Sequence, residues 1–486
     1  MSDLLIWPVA LPLLSALLAL LWPRRATWIG VAGSGLSLLA VLLVSRRLVE
    51  SGPMELALGG WAPGLGIALR ADGLSLMMLL MSALVTMAVA VYASVYFSRA
   101  ERRGEFWVLW LLLITALHAL FLSGDLFNLY VTLELLGLSA VVLACLGGSR
   151  ASLQAALRYL VLGLLGSLAF LMGVALIYAG FGTLDMAALG EAVRAGPTAW
   201  VALSLMTGGL LIKSALFPLH FWLPTAHANA PAPVSAVLSA LVVKAAFYLI
   251  LRLWLDLFDG VVTQAAALIL GVLGAIAVVW GSWAALQAER LKLMAAYSTV
   301  AQLGYLFLFL PLLAALPEGA GRELALGALV LLALTHGFAK SAFFLAAGVI
   351  MQRAGHDRIA ELGGTARALP MTAFTLALAG VALIGLPPSG SFLAKWQLLS
   401  TVFVTGQWVW LPVIAVGTLL AGAYVFRLLG NAFAPGEGVG PSLSAGREEI
   451  PAVLLALIAT LLLGFWASAV WELVPITAYA GGEAGL

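Results

Sequence analysis

The amino-acid sequence predicts an all-α polytopic membrane protein of about fourteen transmembrane helices. Charged residues fill only 9% of its 486 positions, where a soluble domain carries roughly 25%. Hydrophobic residues reach 63%, and the mean hydropathy is +1.10. They gather into runs of about twenty, the length a helix needs to cross bilayer hydrocarbon. Marking these runs gives spans at 4–22, 27–45, 73–97, 106–123, 126–146, 156–181, 198–218, 230–251, 261–286, 293–316, 324–350, 371–402, 408–430 and 450–472.

The first run lacks a basic leader and an evident cleavage site and ends in Trp22-Pro-Arg-Arg25, so it reads as a retained span, not a signal peptide. Between spans two and three, Glu50 to Asp72 is rich in Gly and Pro with two short alternating runs, the pattern of a small hairpin outside the membrane. The loop Pro435 to Glu449 precedes the last span. The organisation expected is a three-helix segment with its hairpin (1–105), five helices (106–251), five more (261–430), then a loop and C-terminal helix (431–486).

With the N-terminus placed outward, fourteen basic residues fall in cytoplasmic loops, Arg99, Arg102, Arg290 and Lys292 among them. The opposite loops hold six: Arg46, Arg47, Arg70, Arg194, Arg252 and Arg322. This bias obeys the positive-inside rule and predicts a multi-pass protein of the inner (cytoplasmic) membrane with both termini outside. No basic run suggests nucleic acid. The single cysteine, Cys145, excludes a disulfide, a cysteine zinc site or an iron–sulfur cluster held by this chain alone. Without a glycine-rich dinucleotide loop, a metal-ligand cluster or a soluble domain, no cofactor, metal or catalytic chemistry is expected in it.

The loop assignment leaves four basic side chains inside spans, Lys213, Lys244, Lys340 and Lys395, with one acid, Glu134. Two of the lysines stand beside helix breakers. Lys213 precedes Pro218, and the paired prolines beginning at Pro387 precede Lys395. Proline removes a backbone donor where no water replaces it, which in membranes points to an ion pathway. The breaks fall in spans seven and twelve, so spans 4–8 and 9–13 read as two copies of a five-helix repeat. Five is odd, and the copies must therefore be inverted.

Snorkelling and structural ion pairing are the alternatives to a functional reading of these lysines. Lys244 lies eight residues, about 12 Å of helix, from Arg252 at the end of its span, farther than its side chain snorkels. An ion pair with Glu134 accounts for Lys213 alone, and unpaired cations in lipid are costly and usually functional. Lysine, unlike arginine, gives up its proton when desolvated, so the row suits proton transfer. His336 and Lys340, four apart, share a helix face. His220 and His227 flank the first break, with a loop position at the interface as the alternative; His118 and His356 read as structural, and Arg252 as a helix-end residue whose loss is mild.

The chain resembles the antiporter-like membrane subunits shared by respiratory complex I, membrane-bound hydrogenases and Mrp-type sodium/proton antiporters. The residues that carry the resemblance are Gly124-Asp-Leu-Phe-Asn-Leu-Tyr-Val-Thr-Leu-Glu134, the stretch from Lys213 to Ala236, Leu293-Met-Ala-Ala-Tyr-Ser-Thr-Val-Ala-Gln-Leu-Gly-Tyr305, the His336/Lys340 pair and Leu386 to Lys395. It implies a line of charge and water across the middle of the membrane. Glu134 then stands for the family's fifth-helix glutamate, Lys213 and Lys244 for its seventh- and eighth-helix lysines, and Lys395 for its twelfth-helix residue. The chain is most similar to the D-type subunits of Mrp antiporters, with complex I and hydrogenase subunits as the alternative. Implied partners are other membrane subunits, protons, sodium ions and lipid. A carrier for an organic solute and a passive scaffold are the competing readings.

Overall fold

A computed structural model describes residues 2–61, 66–97, 103–436 and 446–475. Arg99 and Arg102, residues 437–445 of the last loop and the C-terminal end from 476 lie outside the described residues. Helices α1 (Trp7–Leu21) and α2 (Ala26–Ser51) lead into an antiparallel ribbon of β1 (Met54–Ala57) and β2 (Ala68–Ala71), with Met54 opposite Ala71 and Ala57 opposite Ala68. There follow α3 (Gly73–Tyr96), α4 (Arg103–Leu122), α5 (Leu126–Cys145), α6 (Arg150–Phe181), the short α7 (Met186–Ala192), α8 (Pro197–Lys213) and α9 (Leu223–Asn229). The second half runs through α10 (Ala232–Leu257), α11 (Gln264–Gln287), α12 (Leu291–Ala315), α13 (Ala320–Ala354), α14 (Pro370–Ile384), α15 (Gly390–Thr405), α16 (Leu411–Phe433), α17 (Glu449–Phe465) and α18 (Ala467–Leu473).

Eleven helices among the described residues are long and apolar enough to cross a membrane, or twelve if α17 and α18, bent by 73°, form one span. The runs expected as spans seven and twelve are divided, into α8 and α9 and into α14 and α15. Helix starts follow local chemistry. Asp72 caps α3 by accepting from Ser75 N at 2.9 Å, while the Ser75 hydroxyl accepts from Asp72 N at 2.8 Å, a reciprocal box that satisfies two orphan donors. Asp125 caps α5 and Ser389 caps α15.

Two helices form the centre. The most apolar stretches of α10 and α13 are buried along their whole length, against a third of the corresponding stretch in α1, α6 and α16. A helix apolar all round belongs in a core, and these two carry Lys244, His336 and Lys340.

The burial of charge differs from the sequence expectation. Lys292, assigned to a cytoplasmic loop, lies in α12 and is 2% exposed. Arg252, assigned to the opposite loops at the end of its span, is 6% exposed inside α10; arginines are therefore not kept out of the spans. Its guanidinium meets Asp72 at 2.5 Å and Asp256 at 2.9 Å. Arg70, assigned to the opposite loops, is buried against Asp185, the cap of α7, at 2.9 Å. Glu134 is thus joined by buried acids at helix ends, and apolar runs alone mislocate Lys292 and Arg252 because their helices run on across the charge.

Candidate functional site

Of the four lysines singled out in the sequence, Lys244, Lys340 and Lys395 donate to backbone carbonyls and Lys213 meets a carboxylate at a helix end. α8 ends at Lys213, and the chain leaves helical geometry at Ala215, whose φ of 54° is left-handed. A helix end inside hydrocarbon strands carbonyl groups. Here Trp222 Nε1 donates to Ile212 O at 2.9 Å, and its indole stacks on Tyr159 with centroids 4.2 Å apart. Pro218 lies in the irregular turn between α8 and α9.

Lys213 Nζ is 3.3 Å from Glu134 Oε1, and the Ser167 hydroxyl of α6 donates to the same oxygen. Beside the pair, α6 and α8 touch through their backbones. A Cβ on Gly209, one turn before Lys213, would strike Gly166 O, and one on Gly137 would lie 3.5 Å from the ammonium. Gly209→Ala is accordingly expected to force α6 and α8 apart, costing about 1–3 kcal/mol as overpacking. A lower melting temperature of the purified complex, with weaker transport, is the measurement that checks it.

Lys213 and Glu134 line a small pocket with Tyr159, Val242 and Ala246; its volume of ≈ 20 Å³ is room for one water. Lys244, two positions beyond Val242, projects nearly opposite, away from this pocket. Residues 238–242 are wound as a π-turn, a form that often marks functional positions. Lys244 Nζ donates to Ser239 O of that turn at 3.0 Å.

From Lys244, separate groups of hydrogen bonds follow one face of α12 across the core. The hydroxyls of Ser239 and Thr299 are 2.7 Å apart, and Thr299 donates to Ala295 O at 2.9 Å. That carbonyl also accepts from Lys340 Nζ at 2.8 Å, and Lys340 reaches the Ser298 hydroxyl as well. One turn along α12, Gln302 Nε2 donates to Leu383 O at 2.7 Å. The next carbonyl, Ile384 O, accepts from Lys395 Nζ at 2.9 Å. α14 ends there, at Gly385 with φ 84°, so Gln302 and Lys395 satisfy the carbonyls of the second break, at Pro387. Any Cβ on Gly385 would press on the Lys395 chain at 2.9 Å. The Lys395 ammonium lies 4.3 Å from the centroid of Tyr305, a cation–π contact, and 3.3 Å from the Thr418 hydroxyl.

His336 is 2% exposed, one turn before Lys340, and neither ring nitrogen has a hydrogen-bond partner among the described residues. The same holds for His227, fully buried in α9. His220 is buried near the first break, beside Trp280. His118 is held by Ser37 and Pro8 O at 3.1 and 3.0 Å. Lys292 escaped the sequence reading: it donates to Ala230 O, next to Arg290, which reaches Ala228 O at 3.5 Å. The two side chains hold the carbonyls between α9 and α10. The α12 face was also missed, although Ser298, Thr299, Gln302 and Tyr305 recur at helical spacing.

Direct contact thus joins Glu134 to Lys213, and hydrogen bonds bring Lys244 and Lys340 to one face of α12, whose Gln302, one turn on, binds the carbonyl next to the one that Lys395 holds. Among the described residues, no group of three or more His, Cys, Asp or Glu side chains is disposed to hold a metal ion.

A family model described as NADH:quinone oxidoreductase/Mrp antiporter, transmembrane, matches residues 123–421, well over half of the chain. The N-type subunit of the NADH-quinone oxidoreductase of Desulforudis audaxviator is 35% identical over 451 residues, 89% of this chain and 88% of that protein. The D-type subunit of the Na(+)/H(+) antiporter of Alkalihalophilus pseudofirmus is 28% identical over 485 residues, 97% and 96% of the two chains. Two solved complexes contain a similar chain. One is an Mrp complex from a Dietzia species, with a TM-score of 0.85, 26% identity and 98% coverage of both chains. The other is an archaeal membrane-bound sulfane sulfur reductase, with a TM-score of 0.89, 28% identity and coverage of 98% and 97%.

Proposed function

This chain belongs to the NADH:quinone oxidoreductase/Mrp antiporter membrane family, and on that premise we propose that it is the proton-carrying subunit of a larger membrane complex of the Mrp sodium/proton type. It is a multi-pass, antiporter-like membrane subunit, and the pathway assigned to it is Glu134, Lys213, Lys244, His336, Lys340 and Lys395. The observation that carries this reading is the polar face of α12, which meets buried Lys340 directly and Lys244 through Ser239, and whose Gln302 binds the carbonyl beside the one that Lys395 holds. A passive scaffold has no use for four buried ammonium groups spread over separate helices, and a solute carrier would gather them around one cavity.

With the divided runs taken as broken spans, the chain has fourteen spans in two inverted repeats, 106–251 and 261–430, after an N-terminal segment and before a C-terminal helix. It sits in the inner membrane with both termini outside, among other membrane subunits. The similar chains of known structure come from multisubunit complexes, which supports such partners. A specific observation favours a second reading: the 35% identity to an NADH-quinone oxidoreductase subunit exceeds the 28% to the sodium/proton antiporter subunit, so a redox-driven complex is the alternative source of coupling.

The test is transport by the whole complex in vesicles with Lys244, Lys340 and Lys395 replaced singly by alanine. Loss of ion-coupled proton movement in assembled complexes is expected, with Lys395→Ala severe. Normal rates in all three would leave the scaffold reading standing.

A further inference from the structure

The central line needs an outlet to water, and α10 carries a candidate on the side of the β-ribbon. Lys244, Tyr248, Arg252 and Asp256 recur every four residues, which puts them on one face. Exposure rises along this face, from 0% at Lys244 through 3% at Tyr248 to a side-chain value of 16% at Asp256. Tyr248 donates its hydroxyl to Phe121 O at 3.0 Å and accepts from Arg252 Nε at 2.9 Å. Arg252 then holds two carboxylates, Asp256 on its own helix and Asp72 at the start of α3.

Two features go beyond what a structural pin requires. First, Asp72 is 2% exposed, and its Oδ2 is buried with no hydrogen-bond partner among the described residues. A buried carboxylate oxygen is costly unless it is protonated or hydrated, and two carboxylates on one guanidinium leave a negative charge unmatched. Second, Lys244 and Tyr248 line one small pocket with Leu74 and Met78 of α3 and Val330 of α13. Its volume of ≈ 10 Å³ is at the lower bound for a single water. The α3 wall of this cavity begins two residues after Asp72, so the cavity and the carboxylate pair are adjacent stations on the same helices.

We propose that this face of α10 is a proton path between Lys244 and the ribbon side of the membrane, with the Asp72/Asp256 pair as its mouth. This deepens the proton-carrier reading and rests on it. In the step proposed, the Lys244 ammonium gives a proton to water that enters along this face, and water beside Tyr248 passes one to a carboxylate of the pair. The resulting carboxylic acid releases it to the aqueous side, and the reverse order loads Lys244. Only N–H and O–H bonds change, and no oxidant or reductant is needed. Arg252 does not transfer a proton; it holds the two acids together.

The experiment uses the assembled complex in vesicles with Asp256→Asn, Asp256→Glu and Tyr248→Phe, and Lys213→Arg as control. Asp256→Asn is expected to slow ion-coupled transport about tenfold or more, Asp256→Glu to restore most of it, and Tyr248→Phe to slow it severalfold. Normal transport by Asp256→Asn overturns the path, and so does equal loss with Asn and Glu in assembled complexes, which marks a purely structural site. If Asp256→Asn does not assemble, Tyr248→Phe decides, because it removes one hydroxyl and keeps the ring; a normal rate overturns the proposal. A dead Lys213→Arg beside normal α10 variants condemns the outlet alone, whereas a normal Lys213→Arg condemns the relay on which it rests.

Discussion

Lys213→Arg is expected to abolish ion-coupled transport by the reconstituted complex, by roughly two orders of magnitude or more, while leaving assembly intact. The substitution keeps the positive charge and an ion pair with Glu134, now 3.3 Å from the ammonium. What it removes is the ability to let the proton go, since a guanidinium stays protonated in proteins. The proton affinity of a lysine depends on two opposed influences, a nearby carboxylate that favours the charged form and burial that favours the neutral one. Glu134 stands where a small movement changes the balance. It is carried by α5, the lysine by the last turn of α8, and the Ser167 hydroxyl of α6 competes for the same carboxylate oxygen. Glu134→Ala should therefore fail as completely as Lys213→Arg. The measurement is proton movement in vesicles beside co-purification of the partner subunits; if arginine at 213 transports at the normal rate, only its charge is needed.

The four lysines were legible in the sequence because charge inside an apolar run is rare and expensive, and the breaks were legible because proline removes a donor. What connects them was not. Serine, threonine, glutamine and tyrosine pass unnoticed in a membrane span, and the acceptors of the lysines are largely backbone carbonyls: Ser239, Ala295 and Ile384. A carbonyl freed by a π-turn or a helix end has no letter in the sequence. Lys292 was misplaced for a different reason. Hydropathy ends a span at the first charge, whereas α12 begins at Leu291 and takes the lysine inside to meet Ala230 O. The hairpin after α2 was visible from its alternation and turn residues, but the reach of Arg70 to Asp185 was not.

Arg252→Ala shows how far that difference reaches, because a residue at the end of an apolar run invites the expectation of a mild effect. The structure leads to the opposite result. The guanidinium is 7% exposed and Asp72, 180 positions earlier in the chain, 2%; neither is screened by solvent. Alanine would leave Asp72 charged, buried and with only its own capping contact to Ser75, and would strip Asp256 and Tyr248 of their shared partner. Removing one member of a buried pair typically costs about 3–5 kcal/mol, most of it the penalty of the stranded charge. Here that penalty falls at the start of α3 and the end of α10, the joint between the ribbon and the central helix. Arg252→Ala is thus expected to lower the melting temperature of the complex sharply and to reduce its yield. Arg252→Ala with Asp72→Asn should recover part of the loss, since the second change removes the charge that the first one strands. If the double variant is no more stable than Arg252→Ala alone, the cost lies in lost packing of the arginine stem and not in the unpaired carboxylate.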